Sequence, residues 1–436
     1  MRRNGSPDDH QPTSRRITDR RRLRRRAAAL AAAAALAPAL LATSACGGPA
    51  DAASAAGDLT VMTWAPSGTG STDRPGMTAL ADAVGRDINA KGGLHGRQLR
   101  VLTCNEHNTA EGAAACTRQA VDAKAVAVIG SYSQYGSTFI PTLEAAGIPY
   151  LGGYGLSTPE FSSPLSYPVA GGTPALIAGS GRQLVAAGCK NVALVRPDTR
   201  AGDTMVGFLD AALRPAGIRL TDVKAPERSN DYTPIARQAI GDDRSGNCVT
   251  VALGAEPTAN LLDPLRRLNP KHTALASVVG SFQQSVVDAT GGDSGPLGGA
   301  YATGWFPPES SPVWDALRDT VKTYGNGVAI DVSDPGVQTT WVAYEVFRAA
   351  AKRVDAAKPL TAKTLRTVLD SGDPIETNGA TPPLSWGMTS MLPSADSPRL
   401  VNTSVTFQQV RGGRLVDQQQ GFVDVRWVLA GGKPPA

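Results

Sequence analysis

The stretch Asp87-Ile88-Asn89-Ala90-Lys91-Gly92-Gly93-Leu94-His95-Gly96-Arg97 decides how the chain is read. Apolar residues at Leu80, Val84 and Ile88 recur at helical spacing and carry a helix into Asn89. Gly92 and Gly93 then end it, because glycine adopts the left-handed backbone of a helix C-terminus without steric cost. His95-Gly96 predicts a second turn, and Gln98-Leu99-Arg100-Val101-Leu102 begins a strand. Outward from this unit, the pattern predicts strands at 59–64, 125–129, 148–151, 191–195, 218–223, 248–253, 274–279 and 298–303. Helices are expected over 109–124, 137–146, 174–187, 203–216 and 257–268. Toward the C-terminus, helices at 311–324, 336–354 and 361–370 precede strands near 403–410 and 421–425. Short apolar strands alternating with helices mean an α/β fold, with parallel sheets flanked by helices.

The N-terminus reads as an export segment. Ten arginines lie between Arg2 and Arg26, opposed only by Asp8, Asp9 and Asp19. An Ala/Leu run follows from Ala27 to Leu41, then Ala42-Thr43-Ser44-Ala45-Cys46-Gly47. A basic region, an apolar region and small residues before a cleavage point are the parts of a secretory signal. A cysteine directly after that point resembles a bacterial lipobox, in which the Cys46 thiol carries the lipid. Thr43 departs from the usual leucine. The arginine groups Arg15-Arg16 and Arg20-Arg21-Arg22 leave open a general secretory or a twin-arginine route. The expected organisation is a lipoprotein signal over 1–45 and a flexible small-residue tether over 46–57.

Removing the signal changes the charge argument. The whole chain has 43 Lys+Arg and 38 Asp+Glu, a formal net of +5, but residues 46–436 hold 33 basic and 35 acidic residues. The positive charge belongs to the export segment, and no basic patch remains to suggest nucleic acid. The 391 residues after the signal exceed one core and imply two domains. Cys104, Cys116, Cys189 and Cys248 remain, an even number suited to an oxidising compartment. Three pairings are possible. Cys104–Cys116 and Cys189–Cys248 are favoured, the first joining a strand end to the helix after it, the second joining neighbouring parallel strands at one end. No C-x-x-C and no paired His suggests a metal, and no cofactor is expected. Glu106-His107 alone is weak evidence for one.

Several segments, in order, carry a family resemblance. The opening stretch is similar to the Ile-Asn-Ala-x-Gly-Gly-x-x-Gly-Arg signature of type I periplasmic-binding-fold proteins, the solute receptors of the branched-chain amino acid transporter family. Val128-Ile129-Gly130-Ser131-Tyr132-Ser133 resembles that family's Gly-x-x-Ser loop. Ala146-Gly147-Ile148-Pro149-Tyr150, Asp231-Tyr232-Thr233-Pro234 and Gly379-Ala380-Thr381-Pro382-Pro383-Leu384 resemble three further family segments. The resemblance implies a two-lobed clamshell joined by three crossover strands, near 167–169, 305–307 and 393–402. It implies a first lobe from 58–168 and 307–393, and a second from 169–306 and 402–428. It also implies hinged closure on a ligand.

Ligand in such sheets lies beyond the carboxyl ends of the strands. The loops there nominate Ser131, Ser133 and Gln134, then Tyr154, Gly155 and Ser157, then Arg200, Glu256 and Phe282. Family members for amino acids often carry Tyr where Arg200 or Ala201 stands, and an acidic residue where Phe282 stands. Glu256 would then have to pair the ligand's ammonium, or the ligand is not an α-amino acid. The expected function is an extracytoplasmic lipoprotein that captures a small polar solute, with an amino acid as the leading reading. It would work as a monomer, hold to the outer face of the membrane by its lipid, and deliver solute to an ABC transporter permease. A lipoprotein reporting to a separate sensor is the alternative. Receptors that signal within one chain add transmembrane segments, and none is read before Pro434-Pro435-Ala436.

Catalysis finds little support. Gly292-Asp293-Ser294-Gly295-Pro296 looks like a serine-protease nucleophile segment. That chemistry needs a His base oriented by an Asp, and His95, His107 and His272 lack the sequence context. There is no Gly-x-Ser-x-Gly elbow, P-loop or H-E-x-x-H motif. A binding protein, not an enzyme, is expected.

Overall fold

Strands buried on both faces are mostly apolar, and the strand β1 (Leu59–Ala65) reads Leu-Thr-Val-Met-Thr-Trp-Ala with six of its seven residues buried. It belongs to a computed structural model that describes residues 57–69, 73–226, 229–278 and 280–433. The export segment, Cys46 and all of the tether except Gly57 lie outside the described residues.

The first sheet adds β2 (Leu99–Asn105), β3 (Val128–Ile129), β4 (Tyr150–Leu151) and β5 (Ser166–Tyr167), in the order β2-β1-β3-β4-β5 and parallel throughout. Helices α1 (Pro75–Ala90), α2 (Ala110–Asp122), α3 (Gly136–Ala146) and α4 (Thr158–Ser162) connect them. The second sheet holds β6 (Asn191–Pro197), β7 (Arg219–Ala225), β8 (Asn247–Val251), β9 (Ala274–Val278), β10 (Tyr301–Gly304), β11 (Ser404–Arg411) and β12 (Arg414–Asp417). Its order is β12-β11-β10-β9-β8-β6-β7, with β13 (Val423–Asp424) also on β11. It is parallel from β7 to β10 and antiparallel at β11 and β12. Helices α5 (Gly172–Ala186), α6 (Arg200–Leu213), α7 (Thr233–Ile240), α8 (Ala255–Leu268) and α9 (Gln284–Ala289) serve this sheet. The chain then returns: α10 (Asp315–Tyr324) and α11 (Pro335–Arg353) pack on α1, and α12 (Ala362–Leu369) packs on α11. The final helix, α13 (Arg426–Leu429), lies on α5 and α6.

The stretch that opened the reading joins α1 to β2 in the first lobe. Gly92 and Gly93 have φ of 97° and 79° and end α1, and a side chain on Gly93 would collide with the Arg97 carbonyl. Leu94 and Arg97 exchange backbone bonds around His95-Gly96, both at positive φ. The Asn89 amide bonds the Leu99 backbone on both sides, donating to its oxygen at 2.9 Å and accepting from its nitrogen at 2.7 Å, which locks helix to strand. The His95 ring meets the Ala351 carbonyl of α11 at 2.8 Å, and Arg97 donates to the carbonyls of Gly57 and Asp58.

Three passages join the lobes, and hydrogen bonds lace them together. Trp386 Nε1 donates to the Pro168 carbonyl at 3.0 Å, Arg399 Nε to that of Ser166 at 2.9 Å, and Asn402 Nδ2 to that of Val169 at 2.9 Å. Thr406 Oγ1 and Gln408 Nε2 both donate to the Phe306 carbonyl. These contacts tie the crossing segments to one another. The disulfides are Cys104–Cys116 and Cys189–Cys248, with Cα atoms 5.7 and 6.0 Å apart, the pairing favoured from strand positions.

Some elements differ from expectation. Ser166-Tyr167 is a paired edge strand of the first sheet as well as the way out of it. β12 and α9 were not anticipated; four and six residues are too few to display a period. The Gly292–Ser294 segment is a 3-10 turn with Ser294 exposed, so the protease-like wording is turn chemistry.

Candidate functional site

The carboxyl ends of both sheets face one cleft, and a cavity of about 160 Å³ lies in it. From the first lobe it is walled by Arg74, Tyr132, Gln134, Tyr154 and Leu156. From the second come Thr173, Leu176, Ile177, Met205, Leu253, Pro257 and Val278, with shorter stretches at Pro197, Thr199, Ala201, Ala252, Gly254, Gly280 and Ser281. Trp305, on a crossover strand, forms the floor.

Arg74 is the residue that the sequence reading missed. It stands at the N-cap of α1, where only a capping role suggests itself, and its side chain is 10% exposed. Its Nη1 donates to Asp334 Oδ2 at 3.1 Å, and Asp334 in turn caps α11 by accepting from the backbone of Gly336 and Val337. Its Nε is buried and has no hydrogen-bond partner among the described residues. Its guanidinium lies 5.9 Å from the Tyr132 ring centroid and 5.8 Å from that of Tyr154, at cation–π distance. Burial works against its charge, but Asp334 and the two tyrosines outweigh that, so its pKa lies above the ordinary arginine value and it stays a cation.

An aromatic file crosses the cleft. Tyr132 and Tyr154 have ring centroids 4.9 Å apart, and Tyr154 meets Trp305 edge-on at the same distance. Trp305 Nε1 donates to the Gly172 carbonyl at 2.9 Å, which fixes the indole plane. Burial pushes the Tyr154 hydroxyl up to about 12 and Tyr132 higher still, so both are neutral donors at any ordinary pH. Gly280, at φ 103°, allows the lobes to approach. A β-carbon there would sit 2.8 Å from the Tyr154 hydroxyl oxygen.

The nominated loop residues divide sharply. Gln134 and Tyr154 line the cavity; the others do not. Ser131 is fully buried, its Oγ accepting from the Trp64 backbone at 3.1 Å. Ser133 donates to Glu106 Oε2 at 3.0 Å and accepts from the Tyr135 backbone. Glu106 also accepts from the Asn108 backbone at 3.1 Å. Burial raises its carboxyl to about 7, against the lowering effect of those two bonds. Gly155 (φ 78°) packs against Gly172, and Ser157 caps α4. Both share the buried Glu160 carboxylate, which accepts from the backbone nitrogens of Gly155, Leu156 and Ser157 at 2.9–3.1 Å. Arg200 and Glu256 are exposed on the first turns of α6 and α8 and are not cavity walls. Phe282 is buried in the second lobe's core, with Leu253, Val286 and Val287 in the same cluster. The acidic partner that an α-amino acid's ammonium needs is therefore not supplied by Glu256 from the cavity wall. No group of three metal-binding side chains occurs among the described residues.

Two lobes of parallel sheet flanked by helices, three crossings and a cleft between strand ends define the type I periplasmic-binding clamshell. Residues 62–413 match the family model described as periplasmic binding protein, and the chain belongs to that family. Solved structures agree on the fold. An extracellular ligand-binding receptor from Verminephrobacter eiseniae superposes with a TM-score of 0.67 at 17% identity, covering 82% of this chain and 99% of its own. A branched-chain amino acid ABC transporter protein from Thermus thermophilus, with bound valine, gives 0.69 at 16% identity, covering 86% and 100%. A solute-binding protein from R. palustris, in complex with benzoate, gives 0.65 at 17% identity, covering 84% and 98%. No curated protein sequence matches the chain.

Proposed function

We propose that the protein is the extracytoplasmic solute-binding component of an ABC transporter, closing its two lobes on one small molecule and presenting it to a permease. The observation that carries this reading is the cavity between the lobes, walled by strand ends from both sheets and floored by a crossover residue. Hinge closure converts ligand contact with two lobes into a change of shape that a partner can read. The family match supports an extracytoplasmic location, in accord with the two disulfides. Among the described residues no helix is long and apolar enough to cross a membrane. Membrane attachment in this reading is through lipid on Cys46, after removal of residues 1–45.

The test is thermal unfolding of the purified protein against a panel of amino acids, neutral amides and monocarboxylates. A ligand that binds only the folded state raises the midpoint by mass action. A rise of several degrees with one compound class is the expected result. No rise with any class would overturn the solute-binding reading.

A further inference from the structure

A buried cation in the wall of an otherwise uncharged cavity sets a strong demand on whatever fills it. The cavity wall carries one formal charge, on Arg74, and no carboxylate. Asp334 does not face the ligand space. It occupies Arg74 Nη1 on one side and the first turn of α11 on the other. Arg74 Nε has no partner among the described residues, at a side chain nine-tenths buried. The guanidinium lines the cavity with its charge only partly answered by Asp334, and a charged acceptor suits it best. The rings of Tyr132 and Tyr154 lie 5.9 and 5.8 Å from the guanidinium, and their hydroxyls remain protonated, so neither adds a negative charge to the wall. The opposite wall has the other chemistry. Leu176, Ile177, Met205, Leu253 and Val278 from the second lobe present hydrocarbon, and Trp305 a flat face or edge.

We propose that the ligand of this cleft is a small monocarboxylate with an apolar body and no ammonium group, its carboxylate held by Arg74 and its body laid on Trp305 against the second lobe. The inference rests on the solute-binding reading and narrows it. An α-amino acid brings a carboxylate that Arg74 would satisfy, but its ammonium would enter a closed cleft with no carboxylate partner in the wall. Unpaired burial of that charge is heavily penalised. A neutral amide would bring no negative charge to the Arg74 guanidinium.

Isosteric pairs test this by calorimetric titration of the purified protein. One pair is 4-methylpentanoate against leucine, which differ by the ammonium. The other pairs are hexanoate and benzoate against their amides, which differ by the charge of the head. The expected result is that at least one carboxylate binds and is preferred about tenfold or more over its partner, the range of a charge-assisted hydrogen bond. Arg74→Gln should remove that preference, so that acid and amide bind about equally. Arg74→Lys should restore part of the preference through its retained charge. A thermal midpoint for each variant establishes that it folds, and the wild-type pairs carry the test if Arg74→Gln does not. Leucine binding more tightly than 4-methylpentanoate, or an amide equalling its acid, would overturn the ligand class and leave the solute-binding reading intact. Failure of every anionic, zwitterionic and neutral compound would overturn both.

Discussion

The two walls of the cleft are built from the same kind of element, loops that follow parallel strands, yet they do opposite work. In the first lobe those loops are rich in serine, glycine and acid, and nearly all of that polarity is turned inward. Ser133 holds Glu106, Ser131 holds the Trp64 backbone, and Glu160 gathers three consecutive backbone N–H groups of the 155–157 loop. What remains for a ligand is Arg74, two tyrosine faces and Gln134. In the second lobe the loops are held by helix caps, such as Thr199 accepting from Gly202, and the wall is mostly hydrocarbon with Thr173, Thr199 and Ser281 among it. A polar residue at a strand end can thus be spent on holding its loop instead of facing the cavity. Which of the two applies follows from whether a neighbouring backbone group would otherwise be left unpaired.

The sharpest way to break this comparison is to remove the first lobe's loop anchor. Glu160→Ala strands three backbone donors in a buried place and should cost about 3 kcal/mol or more of stability. Urea unfolding measures it. A loss under 1 kcal/mol would mean that the 155–157 loop does not depend on Glu160.

A second variant acts where the walls meet. Gly280→Ala places a β-carbon 2.8 Å from the Tyr154 hydroxyl on a backbone of φ 103°. The φ strain of about 1–2 kcal/mol acts in every state, but the contact with Tyr154 acts only where the lobes meet, so affinity for whichever ligand the panel identifies should drop about tenfold. Unchanged affinity would mean that the lobes do not need to approach this closely.

A further effect is one of pH. Burial raises Glu106 in the folded protein to about 7, above its ordinary value of 4.5. Between those two values the unfolded chain releases a proton that the folded chain keeps. Stability therefore falls as pH rises through that window and is level on either side of it. Thermal midpoints from pH 4 to 8 should decline more steeply in the wild type than in Glu106→Gln across pH 4.5–7. Parallel curves would show that Glu106 ionises normally in the fold.

Much of this was legible in the sequence, and for physical reasons. The helix, double-glycine stop and turn at 87–97 depend on local backbone geometry, and the structure places each residue in the role its chemistry suggested. The disulfide pairing followed from where the cysteines sit on strands. The site was legible only as a set of loops. Tyr154 and Gln134 reach the cavity, but Arg74 was invisible because its partner Asp334 lies 260 positions away and its aromatic neighbours come from two other loops. A lone arginine before a Pro-Gly helix start carries no sequence signal of burial. Phe282 and Glu256 were chosen by position after a strand, and position does not say which way a side chain turns.

The central claim is that ligand sits in the cleft against Trp305, the one cavity-lining tryptophan among the six in the chain. The most direct test is intrinsic fluorescence during titration with whichever compound raises the thermal midpoint. The account predicts a saturable change in emission in the wild type that disappears in Trp305→Phe, with the variant still folded. A ligand that stabilises both proteins equally and leaves Trp305 emission unchanged would contradict it, because binding would then lie outside the cleft.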